Sequence, residues 1–200
     1  MFRKITRLTR TYLLEKKISD LLSNKSRKIH IGCGTDLLDG YINIDSSPDV
    51  GADLVLDVSK FNHFPDECVE LIESYHFIEH LDYYLALRTL QHFYRMLVPG
   101  GMVLMELPDL DVCIRSIGKY TEHNGIDLAM CGIYGHPPAI KRDGISQVHK
   151  WGWTFNTLAK ELSEIGFINI RRQDIRQTYR EATVFDRDMQ VRAVKPDKTP

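Results

Sequence analysis

Residues 28–45 read Lys-Ile-His-Ile-Gly-Cys-Gly-Thr-Asp-Leu-Leu-Asp-Gly-Tyr-Ile-Asn-Ile-Asp. A short alternating apolar run through Ile31 stops at the glycines Gly32 and Gly34, and a second run ends in the carboxylate Asp45. In an open α/β sheet, glycines let the backbone approach a ligand, and an acid at the end of the next strand takes ribose hydroxyls. The stretch therefore predicts two neighbouring strands with a nucleoside site at their carboxyl ends.

The rest of the chain continues the alternation of strand and helix patterns. Apolar stripes at helical spacing predict helices over residues 82–97 and 154–165. Further strands are predicted near 28–32, 41–45, 54–56, 69–73, 102–107, 167–170 and 189–194. The predicted fold class is α/β, Rossmann-like, with a mainly parallel seven-stranded sheet that ends in a C-terminal antiparallel hairpin. The first crossovers are short, because the eight residues between the first two strands cannot hold a full helix.

The first 28 residues carry nine Lys or Arg against Glu15 and Asp20, a net charge of +7. Apolar residues recur there at helical spacing, so residues 1–27 are predicted to form a basic amphipathic helical extension before a domain at 28–195. One interpretation is a helix that caps the sheet with a solvated basic face. The alternative is peripheral contact of residues 1–22 with an anionic membrane surface.

Residues 110–150 show no sustained hydrophobic period and are rich in glycine and proline. A stretch this long and irregular inside a compact domain is typical of a lid or a binding loop. We therefore expect the segment to form a lid or substrate insertion over the site.

Composition narrows the function classes. The formal net charge of −1 gives no indication of a nucleic-acid partner. The four cysteines form no Cys-x-x-Cys pair, and no apolar run approaches the roughly 18 residues needed to span a membrane. The N-terminus has no continuous apolar signal-peptide core. A cytoplasmic protein is expected, or one peripheral at the inner membrane surface. The oligomeric state stays open.

Polar side chains follow several of the predicted strands at the edge where ligands bind in such sheets. The candidates for a general base are His76, Glu79, Asp109, His136 and His149. We favour His76 because it leaves the fourth strand at the mouth of the crevice, followed by Asp109 and His149. A wall position for His76 and a packed loop position for His149 are the alternatives.

The segment His76-Phe-Ile-Glu79-His80 matches the His-x-x-Glu-His pattern of inverted zinc peptidases. That chemistry needs both histidines on one helical face, a third ligand and an open water position. The segment directly follows a strand, and no glutamate between Glu122 and Glu161 offers a third ligand. We therefore expect no metal site, and expect Glu79 and His80 to cap or brace the following helix.

Several pieces, in their order and spacing, resemble class I S-adenosylmethionine-dependent methyltransferases of the compact, methyltransferase-11-like kind. These are His30–Thr35, Gly40–Asp45, Asp57-Val58, Phe64–Asp66, Tyr75–Leu81, Leu97–Gly101, His149–Trp151 and Glu164–Phe167. The resemblance covers roughly residues 28–195. The chain departs from the family at two positions: His30 replaces the usual acid before the glycines, and Asp36 replaces the usual third glycine.

The resemblance implies S-adenosyl-L-methionine as the cofactor. Gly32, Cys33 and Gly34 would lie against its methionine part, and Asp45, followed by Ser46, would hold the ribose hydroxyls. The resemblance further implies that Asp57 binds the adenine amino group with Val58 beside the ring, and that Tyr75 and His76 line the pocket near the sulfonium.

The predicted function is transfer of a methyl group to a small-molecule or glycan-type acceptor by in-line displacement. The rival hypothesis is a catalytically silent, methyltransferase-like binding or scaffold module, suggested by the shortened first crossover. A nicotinamide-dependent oxidoreductase is less favoured, because it would need a proper helix after the glycines and a catalytic Tyr-Lys or similar pair.

Overall fold

A computed structural model of the chain describes residues 2–121, 125–173 and 187–197. Its strands are β1 Lys28–Ile31, β2 Ile42–Asp45, β3 Leu54–Val55, β4 Val69–Tyr75, β5 Leu97–Pro108, β6 Ile168–Gln173 and β7 Asp188–Val194. Its helices are α1 Phe2–Asn24, α2 Tyr83–Met96, α3 Leu110–Ser116, α4 Leu128–Tyr134, α5 Pro137–Asp143 and α6 Phe155–Ile165.

The seven strands form one sheet in the order β3-β2-β1-β4-β5-β7-β6. The first five strands run parallel, and β7 pairs antiparallel with both β5 and β6. The predicted Rossmann-like sheet with a C-terminal antiparallel hairpin is confirmed. Strand order reverses between β1 and β4, which places the carboxyl ends of these two strands at the usual ligand-binding crevice of such sheets.

The first connections of the sheet are short, as predicted. Residues 32–41, all of which the structure describes, contain no helix, and a single 3₁₀ turn at Pro48–Val50 separates β2 from β3. A longer 3₁₀ segment, Val58–His63, leads from β3 towards β4. One face of the sheet beside β1 and β2 is therefore covered by thin loops rather than by crossover helices.

The two faces of the sheet differ in chemistry. On one face, the β-branched side chains of Ile29, Ile42 and Ile72 lie in register and are fully buried in the main apolar core. The next residues along these strands point to the opposite face and are His30, Asn43 and Glu73, which are also buried. The apolar face holds the fold together, and the polar face requires internal hydrogen bonds.

Helix α2 begins and ends where the sequence predicts. Asp82 caps it, because the Leu85 backbone N–H donates to Asp82 Oδ1 at 3.0 Å. Of the expectation that Glu79 and His80 cap or brace this helix, the capping part is wrong, since both lie in a separate 3₁₀ turn at Ile78–His80. Strand β5 starts directly after the helix at Leu97, earlier than predicted, and runs through Gly100 at φ +75°.

Helix α6 also matches its predicted limits. Thr154 and Thr157 form a reciprocal capping box, and Gly166 ends the helix in the left-handed conformation at φ +115°. The buried stripe of α6 includes Leu158 and Leu162. These local signals fix the helix that leads into the C-terminal hairpin.

The segment 110–150 is more regular than expected. It contains α3, α4, α5 and a 3₁₀ turn at Ile145–Gln147, with residues 122–124 outside the described part. Each of the three helices is seven residues long. A length of two turns is too short to display a hydrophobic period, which is why the pattern was missed. Gly132 of α4 packs against Cys113 of α3, where an added Cβ would lie 2.4 Å from the Cys113 sulfur.

Helix α1 packs on the apolar core through Ile18, which is fully buried, with Leu14, Leu21 and Leu22 beside it. Glu15 Oε1 lies 3.1 Å from Nδ1 of His63 in the 3₁₀ segment. The chain is helical over Phe2–Asn24, and contact of this helix with an anionic membrane stays a prediction. None of the described helices is both long and apolar enough to cross a bilayer.

Candidate functional site

The glycine turn, residues 32–34, follows β1 and is held by backbone hydrogen bonds to β2. The N–H groups of Gly32 and Cys33 both donate to the Ile44 carbonyl, at 2.9 and 3.2 Å. Gly32 and Gly34 have φ of +69° and +50°, which side-chain-bearing residues rarely adopt. A Cβ on Gly32 would clash with Phe77 at 2.6 Å, whereas a Cβ on Gly34 would meet nothing within 4 Å.

Asp45 at the end of β2 closes onto this turn. Its Oδ2 accepts from the Gly34 N–H at 2.9 Å, and its Oδ1 accepts from the Ser47 N–H at 2.8 Å. Each carboxylate oxygen keeps capacity for a further donor, since a carboxylate offers about four acceptor positions. Ser46, between Asp45 and Ser47 in the sequence, is exposed. The arrangement presents a fixed, partly exposed anion beside open space at Gly34.

Asp57 and Val58 begin the 3₁₀ segment after β3. Asp57 is exposed and caps the segment, since its Oδ1 accepts from the Ser59 N–H at 2.8 Å. The hydrogen bonds from Ser59 lower the pKa of Asp57, which therefore stays ionised at neutral pH. The side chain of Val58 is buried in the main core. A position of Val58 beside the adenine ring stays a prediction.

Tyr75 ends β4 but points onto the polar face of the sheet. Its hydroxyl donates a very short hydrogen bond to Glu73, and its ring meets the edge of His30 with centroids 5.4 Å apart. Tyr41 donates to the other oxygen of Glu73 at 2.8 Å. His30 contacts Asn43 through Nδ1 at 3.3 Å. The side chain of Tyr75 is thus engaged with Glu73 and His30, and its role near the sulfonium stays a prediction.

His76 has an unusual backbone and a crowded ring. Its φ is +50°, a sparsely populated conformation that costs on the order of 1–3 kcal/mol. Nδ1 lies 3.2 Å from Glu79 Oε1, and Nε2 lies 3.4 Å from Asp188 Oδ2 and 3.7 Å from Glu106 Oε1. Burial opposes the charged ring, but the hydrogen bonds to Asp188 and Glu79 outweigh it and raise the pKa of His76 to about 10.

Glu79, His80 and His149 come together next to His76, and we call these four residues the histidine wall. The ligand atoms of Glu79, His80 and His149 all lie within 4.8 Å of one another. The His80 and His149 rings meet edge to face with centroids 4.8 Å apart. Burial opposes ionisation of Glu79, but the contact with His76 and the charges of His80 and His149 outweigh it and lower the pKa of Glu79. Burial lowers the pKa of His149.

Backbone bonds from residues 150–153 fix the histidine wall. The N–H groups of Lys150 and Trp151 donate to the Glu79 carbonyl at 2.8 and 3.3 Å. Further along, the Leu110 N–H donates to the Trp153 carbonyl at 2.9 Å. His149 is therefore brought to Glu79 by a strap attached at both the β4 and the β5 ends.

Asp109 follows β5 and is fully buried. Its Oδ2 forms an ion pair with Arg172 at 2.5 Å, and its Oδ1 accepts from the Asp111 N–H at 3.0 Å. Both oxygens are thus engaged in holding α3 and β6 in place. Asp109 is not among the residues that line the cavity described next, and its predicted catalytic role stays a prediction.

A cavity of about 610 Å³ lies under the insertion, a volume suited to a small molecule. Helices α4 and α5 form its roof, and the histidine wall forms part of its side. Its lining residues are Asp36, His76, His80, Leu128, Cys131, His136, Pro138, Ala139, Arg142, Gln147, His149, Arg187 and Asp188. Arg187 donates a very short hydrogen bond to the Leu128 carbonyl, which ties α4 to the start of β7.

The structure separates the predicted residues into two groups. The glycine turn, Asp45 and Asp57, together with Ser46, form one edge of the crevice. We call residues 32–34, Asp45 and Asp57 the glycine edge. His76 and His149 line the cavity beside it. Sequence reasoning missed the participation of His80, Arg187 and Asp188. The His-x-x-Glu-His pattern could have identified His80, but a pairing of Asp188 with His76 has no local signal.

The glycine edge fits a nucleoside-type cofactor. Gly34 leaves open space that a Cβ would enter, and the neighbouring carboxylate of Asp45 has acceptor capacity for a diol. Asp36 is exposed and lines the cavity. The chain lacks a helix N-terminus at residues 32–41, all described, that would bind an anionic group at this point.

No protein-family model matches this chain. No curated protein matches it either. Solved structures do resemble it. A SAM-dependent methyltransferase from Archaeoglobus fulgidus is 15% identical, with a TM-score of 0.56 over 92% of this chain and 94% of that one. An S-adenosylmethionine-dependent methyltransferase from Mesorhizobium loti is 16% identical, with a TM-score of 0.57 over 86% of this chain and 91% of that one.

A third similar structure is phosphoethanolamine N-methyltransferase 2 from Haemonchus contortus, solved with phosphomonomethylethanolamine and S-adenosylhomocysteine. It is 15% identical, with a TM-score of 0.51, and the match covers 86% of this chain but 49% of that one. At these identities the likeness shows the fold. The chain has the fold of class I S-adenosylmethionine-dependent methyltransferases.

Proposed function

We propose that this chain binds S-adenosyl-L-methionine at the glycine turn and transfers its methyl group to a polar small-molecule acceptor. The observation that carries the proposal is the closure of Asp45 onto Gly34, beside open space, at the point where strand order reverses. This is where a nucleoside binds in open α/β sheets. The shared fold with methyltransferase structures supports the same cofactor.

When bound, the cofactor supplies a methyl group on a sulfonium and leaves as S-adenosylhomocysteine after a lone pair of the acceptor displaces the sulfur. The task of the chain is to bind, orient and exclude water. Asp45 would accept both ribose hydroxyls, with Ser46 at the rim. Asp57, held ionised by Ser59, would accept from the adenine amino group.

The cavity under α4 and α5 is the proposed acceptor site. Its lining includes the cations Arg142 and Arg187 together with the anions Asp36 and Asp188, so a polar acceptor is favoured over an apolar one. A small molecule or a sugar unit of a glycan fits a volume of about 610 Å³. Asp36 reaches this cavity from the loop after the glycine turn and would face the sulfonium.

The geometry favours an electrostatic role for His76 over the general-base role expected from the sequence. Both of its ring nitrogens already face carboxylates, Nδ1 towards Glu79 and Nε2 towards Asp188 and Glu106. A ring held in this way donates from both nitrogens and has no lone pair directed at an acceptor. His149 keeps a ring on the cavity side and remains the better candidate for contact with the acceptor.

The test is calorimetric titration of the purified chain with S-adenosylmethionine and S-adenosylhomocysteine. We expect saturable binding of both, and at least 10-fold weaker binding in Asp45→Ala, in line with the roughly 1.5–3 kcal/mol of hydrogen bonds to a charged group. Asp39→Ala changes an exposed carboxylate of the same loop and serves as the matched control, with affinity expected to stay within about 2-fold. Absence of binding by the wild-type chain would refute the proposal.

A second candidate function, a catalytically silent binding or scaffold module, is favoured by one observation. Residues 32–41, which the structure describes in full, provide no helix N-terminus for the carboxylate of the cofactor. Binding of S-adenosylhomocysteine without methyl transfer to any member of a broad panel of polar acceptors would favour this module over the enzyme.

A further inference from the structure

We propose that Glu79, His80 and His149 form a binding site for a divalent first-row transition-metal ion in the wall of the cavity. Their ligand atoms lie within 4.8 Å of one another. Around a tetrahedral zinc ion such atoms are roughly 3.4 Å apart, as follows from bonds of about 2.0–2.2 Å. Binding of an ion would require side-chain rotations that bring the atoms closer together.

The first argument is the state of the Glu79 carboxylate. The residue is 2% exposed, and its Oε1 contacts His76 at 3.2 Å. Its Oε2 is buried and has no hydrogen-bond partner among the described residues. An unsatisfied buried polar group costs about 1–3 kcal/mol, and more when it is charged. Buried charges in proteins are either paired or coordinate metals. Oε2 has no hydrogen-bond partner among the described residues, so a metal ion is the remaining way to satisfy it.

The second argument is the orientation of the two histidines. His149 Nδ1 lies 2.9 Å from the Gly132 carbonyl, and His80 Nδ1 lies 3.3 Å from the Val148 carbonyl. A carbonyl oxygen only accepts, so each Nδ1 is the donor of its contact, and Nε2 is the nitrogen left to bind an ion. This arrangement, with one ring nitrogen donating to a backbone carbonyl, is the usual support for a metal-binding histidine.

The third argument is that the three residues are held in place before any ion arrives. Glu79 and His80 share one 3₁₀ turn, and the strap that begins at His149 is tied to the Glu79 carbonyl by the N–H groups of Lys150 and Trp151. The ligands therefore come from two segments about 70 residues apart that the backbone locks together. Such locking keeps ligands near their binding geometry.

His76 supports the site without completing it. Its Nδ1 contacts Glu79 Oε1, whereas Oε2 has no hydrogen-bond partner in the part of the chain that the structure describes. A second cluster, His76 with Glu106 and Asp188, also brings ligand atoms within 4.8 Å. In this cluster the carboxylates of Glu106 and Asp188 already pair with His76. Glu106 also accepts a hydrogen bond from Gln190 at 3.2 Å. We therefore assign the metal to Glu79, His80 and His149.

The ligand set selects the class of ion. Two imidazoles and one carboxylate suit Zn²⁺, Co²⁺, Mn²⁺ or Fe²⁺, whereas Mg²⁺ and Ca²⁺ prefer oxygen ligands throughout. Three protein ligands leave an open coordination position. His80 and His149 both line the cavity, so that position faces the proposed acceptor. Provided that the proposed function holds, the acceptor would be a molecule with a hydroxyl or other oxygen that the ion polarises.

The experiment is titration of the chelator-treated full chain with Co²⁺ and Zn²⁺, followed by calorimetry and, for Co²⁺, by visible absorption. We expect one equivalent per chain. The variants Glu79→Gln, His80→Gln and His149→Gln should each bind at least 10-fold more weakly. The matched control is His136→Gln, which removes an imidazole from the same cavity and should retain the wild-type affinity. Circular dichroism establishes that each variant is folded.

Weak, non-stoichiometric binding by the wild-type chain would overturn the metal site. Equal affinity in folded Glu79→Gln, His149→Gln and wild-type protein would also overturn it. Because Glu79→Gln alters a buried residue and could fail to fold, the wild-type stoichiometry and the two histidine variants decide the question without it.

Titration with S-adenosylhomocysteine in the same preparations separates this proposal from the proposed function. Nucleoside binding without metal binding refutes the metal site alone. Metal binding without nucleoside binding supports the site and refutes the methyltransferase proposal.

Discussion

The glycine edge, consisting of residues 32–34, Asp45 and Asp57, differs from the histidine wall in how it is built. The first uses a short loop and residues within about 25 positions of one another, is partly exposed, and satisfies its carboxylates with backbone N–H groups. The second joins residues about 70 positions apart, is largely buried, and leaves Glu79 Oε2 without a hydrogen-bond partner among the described residues.

This contrast separates two kinds of chemistry at one sheet edge. Satisfied, partly exposed carboxylates can exchange a water for a ribose hydroxyl at little cost. A buried carboxylate next to two imidazoles cannot use water in this way and is suited to a cation. The glycine edge is therefore interpreted as the cofactor side and the histidine wall as the acceptor side.

The largest effect is expected at the glycine turn. Gly32→Ala places a Cβ against Phe77 and forces a side-chain-bearing residue to φ +69°, so we expect a loss of about 2–4 kcal/mol of unfolding free energy. Gly34→Ala has the positive φ without a clash and should lose about 1–2 kcal/mol. Urea denaturation measures both.

Gly118→Ala is the matched control, since Gly118 also has a positive φ and open space but lies away from the crevice. It should lose as much stability as Gly34→Ala while leaving S-adenosylhomocysteine affinity unchanged. If Gly34→Ala bound the nucleoside as tightly as Gly118→Ala does, the open space at Gly34 would not be the cofactor position.

The next effect concerns the buried Asp109 carboxylate, which holds α3 and β6 in place. Asp109→Asn removes the buried charge that holds Arg172 and should cost about 1–3 kcal/mol of unfolding free energy. The exposed neighbour Arg171→Met is the control and should change stability by less than about 0.5 kcal/mol. A fully stable Asp109→Asn would indicate that the carboxylate has a role other than bracing.

The smallest expected effect is a pH dependence of the unfolding free energy that arises from His30 of β1. Burial lowers the pKa of His30, although Asn43 and Glu73 favour its charged form. The unfolded chain therefore binds a proton that the folded chain resists, so stability is present above about pH 6.5 and declines as the pH falls below it. One such proton contributes at most about 1.4 kcal/mol per pH unit.

His30→Gln should flatten this part of the profile, measured as unfolding free energy between pH 7.5 and pH 5.5 relative to wild type. His63→Gln, which removes a histidine paired with Glu15 on the surface, is the comparison variant. Equal slopes for His30→Gln and wild type would contradict a neutral, buried His30.

Much of the fold was predictable because its signals are local. The capping box at Thr154, the glycine turn and the alternation around Ile29 each depend on neighbours within a few residues. The short helices α3, α4 and α5 were missed because two turns are too few to establish a period. The burial of the Val58 side chain in the main core depends on residues far along the chain, which no local pattern specifies.

The amino-acid sequence was sufficient for the α/β class, the mainly parallel seven-stranded sheet with its C-terminal hairpin, and the acid facing the glycine turn. These follow from hydrophobic period, glycine conformation and strand-end position, which act along the chain. The tertiary structure was needed to bring His149 to Glu79 and Asp188 to His76, and to engage Asp109 with Arg172. Contacts between residues far apart in sequence depend on how the sheet and the insertion pack, and local sequence patterns do not determine that packing.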